Sequence, residues 1–340
     1  MMHITLKHLD MKKQFLKKSN LFVIIALAGI MMVSCQKDKN EITPQSSVEL
    51  KDIPTSLENF ETTIESQAIS SEMQYKKGRK VPSFSTLKVA LAKTGLMSYV
   101  AQEELTIFAP SDEAFAALGI TKQNVGEVEN LTEILLYHVV AGKVYSTDLS
   151  NGFVETLNGA SVEVNLEDGV FVNDAEVIYA NINARNGVIH VIDAVLFPPF
   201  MNLVEKAVSF NPDQFNTLVA AVSEFPEIVD LLSNGTYTVF APIDEAFAAL
   251  GIYPDNVATV ENLAAILAYH VVEGKVFSSD LTSGPVTTLN GEFIVNVENL
   301  TIQDSSPNAA NLIAGLLNVQ ATNGVIHVID KVLIPFPPLP

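Results

Sequence analysis

The hydrophobic and polar positions of this 340-residue chain follow patterns that predict both helices and strands. Between Leu131 and His138 the apolar positions are spaced i, i+3, i+4 and i+7, and the same spacing returns between Leu263 and His270. This spacing is the buried stripe of an amphipathic helix. Residues 161–166 and 292–297 instead alternate between apolar and polar, the period of a half-buried strand. Residues 188–192 are apolar on both faces apart from one histidine, which predicts a central strand.

The second feature is a long internal repeat. Thr106–Ile120 returns as Thr238–Ile252 with 13 of 15 positions identical, at an offset of 132 residues. The segment NGVIHVID begins at Asn186 and again at Asn323, so the offset has grown to 137 and the second copy has five extra residues around 305–317. Solenoid repeats have periods of about 20–50 residues. A repeat of this length therefore predicts two tandem domains.

The repeated T-x-F-A-P segment predicts a strand, a stop and a short helix. The strand should end at Pro110 and Pro242, and Asp112 and Asp244 are predicted to cap the helix that follows. That helix is expected to turn two apolar residues toward the core, namely Phe115 and Leu118 in the first copy and Phe247 and Leu250 in the second.

The N-terminal region predicts a secretion signal over residues 1–34, with translation starting at Met1 or Met11. Five lysines precede an apolar run of 13 residues, which is shorter than the roughly 20 residues of a membrane-spanning helix. The run leads to Ser34 and Cys35, the single cysteine of the chain, and it resembles a bacterial lipoprotein signal. Cys35 is then the predicted lipidation site and the first mature residue. The alternative is an ordinary signal peptide with an incidental thiol.

Charge and composition narrow the classes of partner. The chain has 20 Lys and Arg against 39 Asp and Glu, a net charge of −19, which is the wrong sign for nucleic-acid binding. A single cysteine leaves no internal disulfide and no cysteine-based zinc site. Residues 35–55 have little apolar content and predict a tether. The charged residues after Cys35 resemble the export signal of Bacteroidota lipoproteins. We therefore expect an outer-membrane lipoprotein with membrane contact through its lipid anchor only; leaflet and surface exposure stay open.

Three motifs occur in the same order in both copies: T-x-F-A-P-x-D-x-A-F, L-x-Y-H-V-V-x-G and G-V-I-H-V-I-D. Together they resemble the signature of fasciclin-like domains. The resemblance implies an α+β fold, with each domain a β-wedge or sandwich of about seven strands and packed short helices. It places domain 1 at residues 56–198, with its typical part from residue 81, domain 2 at 199–336, and a proline-rich tail at 337–340. It also implies extracellular adhesion or matrix binding, without one shared ligand or activity.

The repeated motifs contain the four histidines that follow Cys35. A strand sends residues three apart to opposite faces, so His190 and Asp193 do not share a ligand set. No metal and no cofactor are predicted, and the histidines are interpreted as hydrogen-bonded core residues. Structural roles are assigned to Asp112, His190, Asp193, Asp244, His327 and Asp330. The Tyr-His pairs are candidate binding residues, because the family motif is linked with adhesion: Tyr137, His138, Tyr269 and His270.

The predicted function is a non-enzymatic adhesion or binding module of the cell envelope. Its expected partner is an extracellular glycan, a matrix component or a cell-surface protein, of unknown identity. One alternative is a carrier of a small hydrophobic ligand or glycan fragment, with the 305–317 insertion lining or covering its cleft; otherwise the insertion completes the second core as a loop and short helix. Another is a scaffold of an envelope complex. An enzyme would need a repeated polar cluster that the spacing does not assemble.

Overall fold

The computed structural model describes residues 50–67, 74–75, 81–209 and 214–335. The predicted signal peptide, Cys35, most of the tether and the proline-rich tail lie outside these residues. Among the described residues, no helix has both the length and the apolar character needed to cross a bilayer. Both copies of the repeat belong to one compact unit, Val48–Pro340.

The first copy, domain 1, forms helices on one side of a long, bent sheet. Its helices are α1 (Ile53–Glu58), α2 (Phe60–Gln67), α3 (Ser85–Thr94), α4 (Met97–Gln102), α5 (Asp112–Ala117) and α6 (Leu131–Tyr137). Its strands are β1 (Gln74–Tyr75), β2 (Leu105–Pro110), β3 (Val139–Ala141), β4 (Gly152–Glu155), β5 (Ser161–Asn165), β6 (Phe171–Val172), β7 (Ala175–Ala184) and β8 (Gly187–Ile192). The sheet order is β3-β2-β8-β7-β6-β5-β4, with β1 added on β7. Only the β2–β8 pair within this sheet is parallel.

The second copy, domain 2, repeats this plan with its sheet divided in two. Its helices are α7 (Leu203–Ser209), α8 (Asn216–Ser223), α9 (Pro226–Asn234), α10 (Asp244–Ala248) and α11 (Leu263–Tyr269). Its strands are β9 (Tyr237–Pro242), β10 (Val271–Glu273), β11 (Gly284–Thr288), β12 (Gly291–Asn296), β13 (Thr301–Gln303), β14 (Ala310–Asn311), β15 (Val319–Ala321) and β16 (Gly324–Ile329). The two sheets run β10-β9-β16-β15 and β11-β12-β13-β14. The predicted α+β fold with tandem domains is confirmed.

The 305–317 insertion explains why only the second sheet is divided. In domain 1 the ten-residue strand β7 belongs to both halves of the sheet, helped by register shifts near Tyr179. In domain 2 this part of the chain contains the short strand β14 and a 3-10 turn at Ala314–Leu316, so β14 ends well before β15 begins. Leu312 is buried and packs against β12 and β13 residues, while Ile313 and Leu316 pack on the helical side. The insertion therefore completes the second core, with a short strand and a 3-10 turn.

Each domain has two hydrophobic clusters, one on each side of its central strand. In domain 1 the helices bury Phe115, Leu135 and Ile189 against the sheet, and the second cluster gathers around Phe108 and Val162. The strand β8 is buried along its whole length, which confirms the predicted central strand. The helical stripe ending at His138 is buried as well, as the i, i+3, i+4, i+7 spacing predicted.

Two boundary predictions need correction. Leu118 and Leu250 are 49% and 52% exposed, because α5 and α10 end before them and the chain then turns away from the core. The predicted tether also ends too late at residue 55. Ile53 is fully buried in the domain 1 core at the start of α1, and Asp52 caps that helix by accepting a hydrogen bond from the Thr55 amide at 3.0 Å.

Candidate functional site

The histidine of each Tyr-His pair joins a helix end to the segment that follows the central strand. His138 follows α6, and its Nδ1 donates to the Ile134 carbonyl at 2.7 Å. Its Nε2 accepts a hydrogen bond from the Leu196 amide at 2.9 Å, 58 residues further along the chain. In domain 2 the corresponding contacts join His270 to Ile266 and Leu333, both at 2.8 Å.

The histidine of each G-V-I-H-V-I-D strand makes a second long-range connection, with the ring in the opposite tautomer. His190 Nε2 donates to the Val144 carbonyl at 2.9 Å, and its Nδ1 accepts from the Asn181 amide at 3.4 Å. His327 makes the equivalent contacts with Val276 and Asn318. A carbonyl only accepts and an amide only donates, so these contacts require a neutral ring with one N–H.

Burial and these contacts both oppose protonation of the rings. Burial lowers the pKa of His138 and His270 to about 4, although the hydrogen bond to the helix carbonyl acts in the opposite direction. Burial likewise lowers the pKa of His190 and His327. A proton added to any of these rings would point an N–H at another N–H. The histidines are therefore suited to hold backbone segments together as neutral groups, and poorly suited to exchange protons with a substrate.

The tyrosines of the pairs are also buried and hydrogen-bonded within their domains. The Tyr137 hydroxyl donates to the Ser161 carbonyl at 2.8 Å, and the Tyr269 hydroxyl donates to the Glu292 carbonyl at 2.6 Å. Burial, with a smaller contribution from Asp304, raises the pKa of Tyr269 to about 12. Of the four candidate binding residues, Tyr137 also lies in the wall of a cleft, which is described below.

Asp112 and Asp244 cap a helix, but a different helix from the one predicted. The N-cap of α5 is Ser111, whose hydroxyl accepts from the Ala114 amide. Asp112 instead accepts from the amides of Ser85 and Thr86 at the start of α3, at 3.1 and 2.8 Å. In domain 2, Asp244 accepts from Asn216 and Thr217 at the start of α8. Each carboxylate thus links two helices. The spacing of residues along the chain gives no sign of this link.

Hydrogen bonds control the protonation of the Asp112 carboxylate. Burial on its own would raise the pKa of this carboxyl, but the bonds from the Thr86 amide and from Ser83 and Ser85 lower it to about 2. The two hydroxyl bonds, from Ser83 and Ser85, are 2.7 and 2.8 Å long.

The aspartates that end the central strands anchor neighbouring strands. Asp193 accepts from the Glu176 amide at 2.8 Å, and Asp330 accepts from the Asn311 amide at 2.7 Å. Among the described residues, no group of three or more His, Cys, Asp or Glu side chains is placed to hold a metal ion.

Sequence reasoning missed the asparagine that opens each NGVIHVID motif. Asn186 Nδ2 donates to two carbonyls of the α4 region, Val100 and Glu103, both at 2.8 Å, and its Oδ1 accepts from the Ile53 amide at 3.0 Å. Asn323 makes the same three contacts in domain 2, with Leu232, Gly235 and Leu203. The repetition of this asparagine in both copies is the signal that could have identified it.

The two domains touch through three contacts, and the aromatic pair and the glutamine contact use residues that differ between the copies. The rings of Phe153 and Phe277 stack with centroids 3.9 Å apart and planes 7° from parallel. The Gln320 side chain accepts from the Ser161 amide at 3.2 Å and donates to the Ser161 carbonyl at 2.8 Å. Lys275 donates to the Gly159 carbonyl at 2.9 Å. The Gln320 contact holds β5 of domain 1 against β15 of domain 2, and the other two contacts join neighbouring segments of the two domains.

Two neighbouring cavities follow this boundary and share Glu163 and Asn318 in their walls. The larger has a volume of about 560 Å³ and lies between β5 of domain 1, the linker at residues 197–199 and Lys206 of domain 2. The smaller, about 300 Å³, is lined in part by Leu312 and Leu317 of the insertion. We call the larger cavity the interdomain cleft. A separate apolar cavity of about 130 Å³ lies beneath α7 and α8.

Comparison with known proteins agrees with the geometry. The Fasciclin domain family model matches residues 82–198 and 213–335. The chain is 32% identical over 243 residues to transforming growth factor-beta-induced protein ig-h3 of Sus scrofa, which covers 68% of this chain and 34% of that protein. It is 39% identical over 144 residues to protein sll1483 of Synechocystis, covering 40% of this chain and 74% of that protein.

A solved structure is similar as well. It is a FAS1 domain pair from the insect cell adhesion molecule fasciclin I, with 23% identity and a TM-score of 0.34, covering 73% of this chain and 95% of that one. The chain spans only about a third of the porcine relative, 34% of its length.

Proposed function

The chain belongs to the Fasciclin domain family, and on this premise we propose that it is a non-enzymatic adhesion or binding module, held at a bacterial cell envelope by lipid on Cys35. Fasciclin domains are found in cell adhesion proteins, as in insect fasciclin I. The observation that carries the proposal concerns the histidines of the repeated motifs. All four rings make hydrogen bonds inside their own domain.

This use of side chains argues for binding rather than catalysis. General acid–base catalysis needs a titratable group with a pKa near the working pH, within reach of a substrate. Histidine is the usual choice, yet His138 and His270 are buried, with pKa values of about 4. The tandem arrangement favours adhesion, because two linked modules raise the effective concentration of the second contact at a multivalent surface.

The envelope location rests on the sequence. Residues 1–34 have the lysine-rich start and apolar run of a signal peptide, and Cys35 follows a small residue. Acyl chains on one cysteine would provide an anchor, since each buried methylene contributes about 0.8 kcal/mol. The acidic chain, with a net charge of −19, adds no attraction to anionic lipid.

The test uses the bacterium that makes the protein. Cells with the full chain, cells with the gene deleted and cells with Cys35→Ala are compared for protease shaving and for attachment to glycan, matrix-protein and cell layers. We expect the full chain to be cleaved on intact cells, and both altered strains to attach less. Equal attachment by all three strains would contradict the adhesion proposal.

A carrier of a small hydrophobic ligand is the second candidate, because domain 2 contains the apolar cavity beneath α7 and α8. Its volume of about 130 Å³ is below the roughly 300–1,000 Å³ of ordinary ligand sites. Native mass spectrometry of the protein purified from its own cells distinguishes the two functions, since a carrier would retain an extra mass.

A further inference from the structure

The interdomain cleft brings together side chains from three separated parts of the chain. Glu163 projects from the outward face of β5, and Asp174 lies in the turn between β6 and β7. Phe197 belongs to the linker between the domains, and Lys206 lies on α7 of domain 2. The cleft therefore exists only where both domains and the linker meet.

Among the residues that the structure describes, the charged side chains of the cleft have no partner. Within the described parts of the chain, the carboxylates of Glu163 and Asp174 and the ammonium of Lys206 form neither an ion pair nor a side-chain hydrogen bond. Both carboxylates are exposed to solvent. They are thus free to accept hydrogen bonds, and the lysine is free to donate them.

The amides around these groups are fixed in place. Asn173 has a positive φ of 51°, accepts from the Glu163 amide at 2.8 Å and donates to the Tyr137 hydroxyl at 3.1 Å. Gln320 holds both backbone groups of Ser161. A wall held by such internal bonds is preorganised, so less ordering free energy is lost when a ligand binds.

Phe197 adds an exposed aromatic ring beside the polar wall. Its side chain is 48% exposed, and Pro198 and Pro199 follow it in the same wall. The corresponding residue of domain 2 is Ile334, which packs partly buried on its own domain. The aromatic ring is thus a property of this linker and not of the repeat.

These features fit a sugar ring better than a lipid or an anion. A sugar carries hydroxyl groups around its edge and C–H groups on its faces, which match the carboxylates and lysine on one side and an aromatic face on the other. The volume of about 560 Å³ lies in the range of small-molecule sites. The two carboxylates and one ammonium sum to −1, and the chain carries −19, so sulfated or acidic glycans are repelled.

We propose that the interdomain cleft binds a neutral glycan segment, with Glu163, Asp174 and Lys206 hydrogen-bonding its hydroxyl groups and Phe197 packing on its ring. The inference rests on the proposed binding function and names the partner class for it.

The test measures binding of the purified full chain to an array of neutral oligosaccharides terminating in glucose, galactose, mannose or N-acetylglucosamine. Sulfated and sialylated oligosaccharides and a lysine-rich peptide are included as other classes. We expect at least one neutral oligosaccharide to bind and the acidic ones to fail. Phe197→Ala and the pair Glu163→Gln/Asp174→Asn should each weaken that binding by tenfold or more.

Matched controls lie close by in the chain. Phe200 is 47% exposed but does not line the cleft, so Phe200→Ala should bind as the unchanged chain does. Glu167→Gln/Asp168→Asn alters two exposed acids of domain 1 outside the cleft in the same way.

Three results would overturn the inference: no neutral oligosaccharide binds, the acidic glycans or the peptide bind better, or Phe197→Ala binds unchanged. If cells still depend on the protein for attachment in any of these cases, the glycan site fails while the adhesion function stands. If neutral glycans bind at the cleft but deletion leaves attachment unchanged, the site stands and adhesion fails.

Discussion

The two domains are most alike where polar side chains are buried and differ most where they face each other. The strand threonines Thr106 and Thr238 donate to the Gly142 and Gly274 carbonyls at the same distance, 2.8 Å. A buried polar group that loses its partner costs about 1–3 kcal/mol. Such a cost acts on each copy separately, which explains why these contacts are the same in both.

At the boundary, one pair of corresponding positions differs between the two domains. In domain 1, the Tyr145 hydroxyl donates to Asn183 at 2.8 Å. In domain 2 the corresponding residues are Phe277 and Gln320, and both point to domain 1 instead, Phe277 onto Phe153 and Gln320 onto Ser161. The comparison teaches that corresponding positions of the repeat form a contact inside domain 1 and contacts between the domains in domain 2.

The helical sides differ in a second way. Domain 1 has an additional helix, α2, whose Phe60 packs edge-on against Phe84 and Tyr179 with centroids 4.9 and 5.7 Å away. In domain 2 only a few residues separate α7 from α8, and the apolar cavity lies beside these two helices.

The largest expected effect comes from the glycine that begins each central strand, where the two copies should respond alike. A Cβ at Gly187 would lie 2.0 Å from the Leu105 carbonyl oxygen, and one at Gly324 would lie 2.1 Å from that of Tyr237. Since this oxygen belongs to the adjacent strand, Gly187→Ala and Gly324→Ala should each lower the free energy of unfolding by about 3 kcal/mol or more. Urea denaturation measures the loss.

Gly315→Ala is the control, because a Cβ there meets no atom within 4 Å. A Gly187→Ala chain that unfolds at the same urea concentration as Gly315→Ala would show that β2 and β8 do not approach as described.

The next effect is a loss of stability in mild acid, shared by the domains through His138 and His270. Their folded pKa of about 4 is below the ordinary value of 6.5, so the unfolded chain binds protons first as the pH falls. The stability from a neutral ring is therefore present above pH 6.5 and is lost down to pH 4. Between pH 7.5 and 5 each histidine should cost about 2 kcal/mol.

Urea denaturation of the unchanged chain and of histidine variants at both pH values checks this. Carboxylate titration contributes equally to all of them, so the differences between them come from the histidines. His138→Gln or His270→Gln should each remove about 2 kcal/mol of this loss and the double variant about twice as much, while the contribution of His190 and His327 remains. A double variant that keeps the full pH dependence would contradict the assignment.

A smaller effect should separate the two helix-capping aspartates. The folded pKa of Asp112 is lowered from 3.8 to about 2, so its carboxylate stabilises the fold above pH 3.8 and that contribution is lost as the pH falls toward 2. Because the carboxylate is partly exposed, solvent screening reduces its contribution to the free energy of unfolding to about 1 kcal/mol. Asp112→Asn should cost more than Asp244→Asn, which loses no hydroxyl donors. Equal losses in thermal denaturation would contradict the role of Ser83 and Ser85.

The sequence predicted what depends on local periodicity and missed what depends on distant partners. The buried stripe ending at His138 follows from helix geometry alone, and the central strand predicted at residues 188–192 follows from its apolar run. The Asp112 contact spans 26–29 residues and joins two helices, so no spacing rule identifies it. Leu118 looked apolar and periodic, but the helix ends one residue before it.

The interface and the cleft were the least predictable features. Gln320 contacts Ser161, 159 residues earlier, and neither residue belongs to a motif. The repeat predicts two domains but not how they touch. A contact between the copies is not part of the pattern that the copies share. The predicted bounds place Phe197 at the end of domain 1, and they gave no sign that its ring lines a cleft shared with domain 2.

The smallest expected effect is on the Phe153–Phe277 stack, and it decides whether the difference between the domains has an energetic consequence. Stacked rings contribute about 0.5–1.5 kcal/mol beyond their buried area. In a double-mutant cycle, Phe153→Ala and Phe277→Ala should therefore cost about 1 kcal/mol less together than the sum of the single losses, measured on the unfolding of the full chain. Tyr145→Phe, which alters the corresponding position of domain 1 and leaves the stack intact, is the control and should show no coupling with Phe153→Ala. Additive losses for the two phenylalanines would mean that the domains share a boundary without stabilising each other, and the change at residues 277 and 320 would then have no energetic basis in the contact between domains.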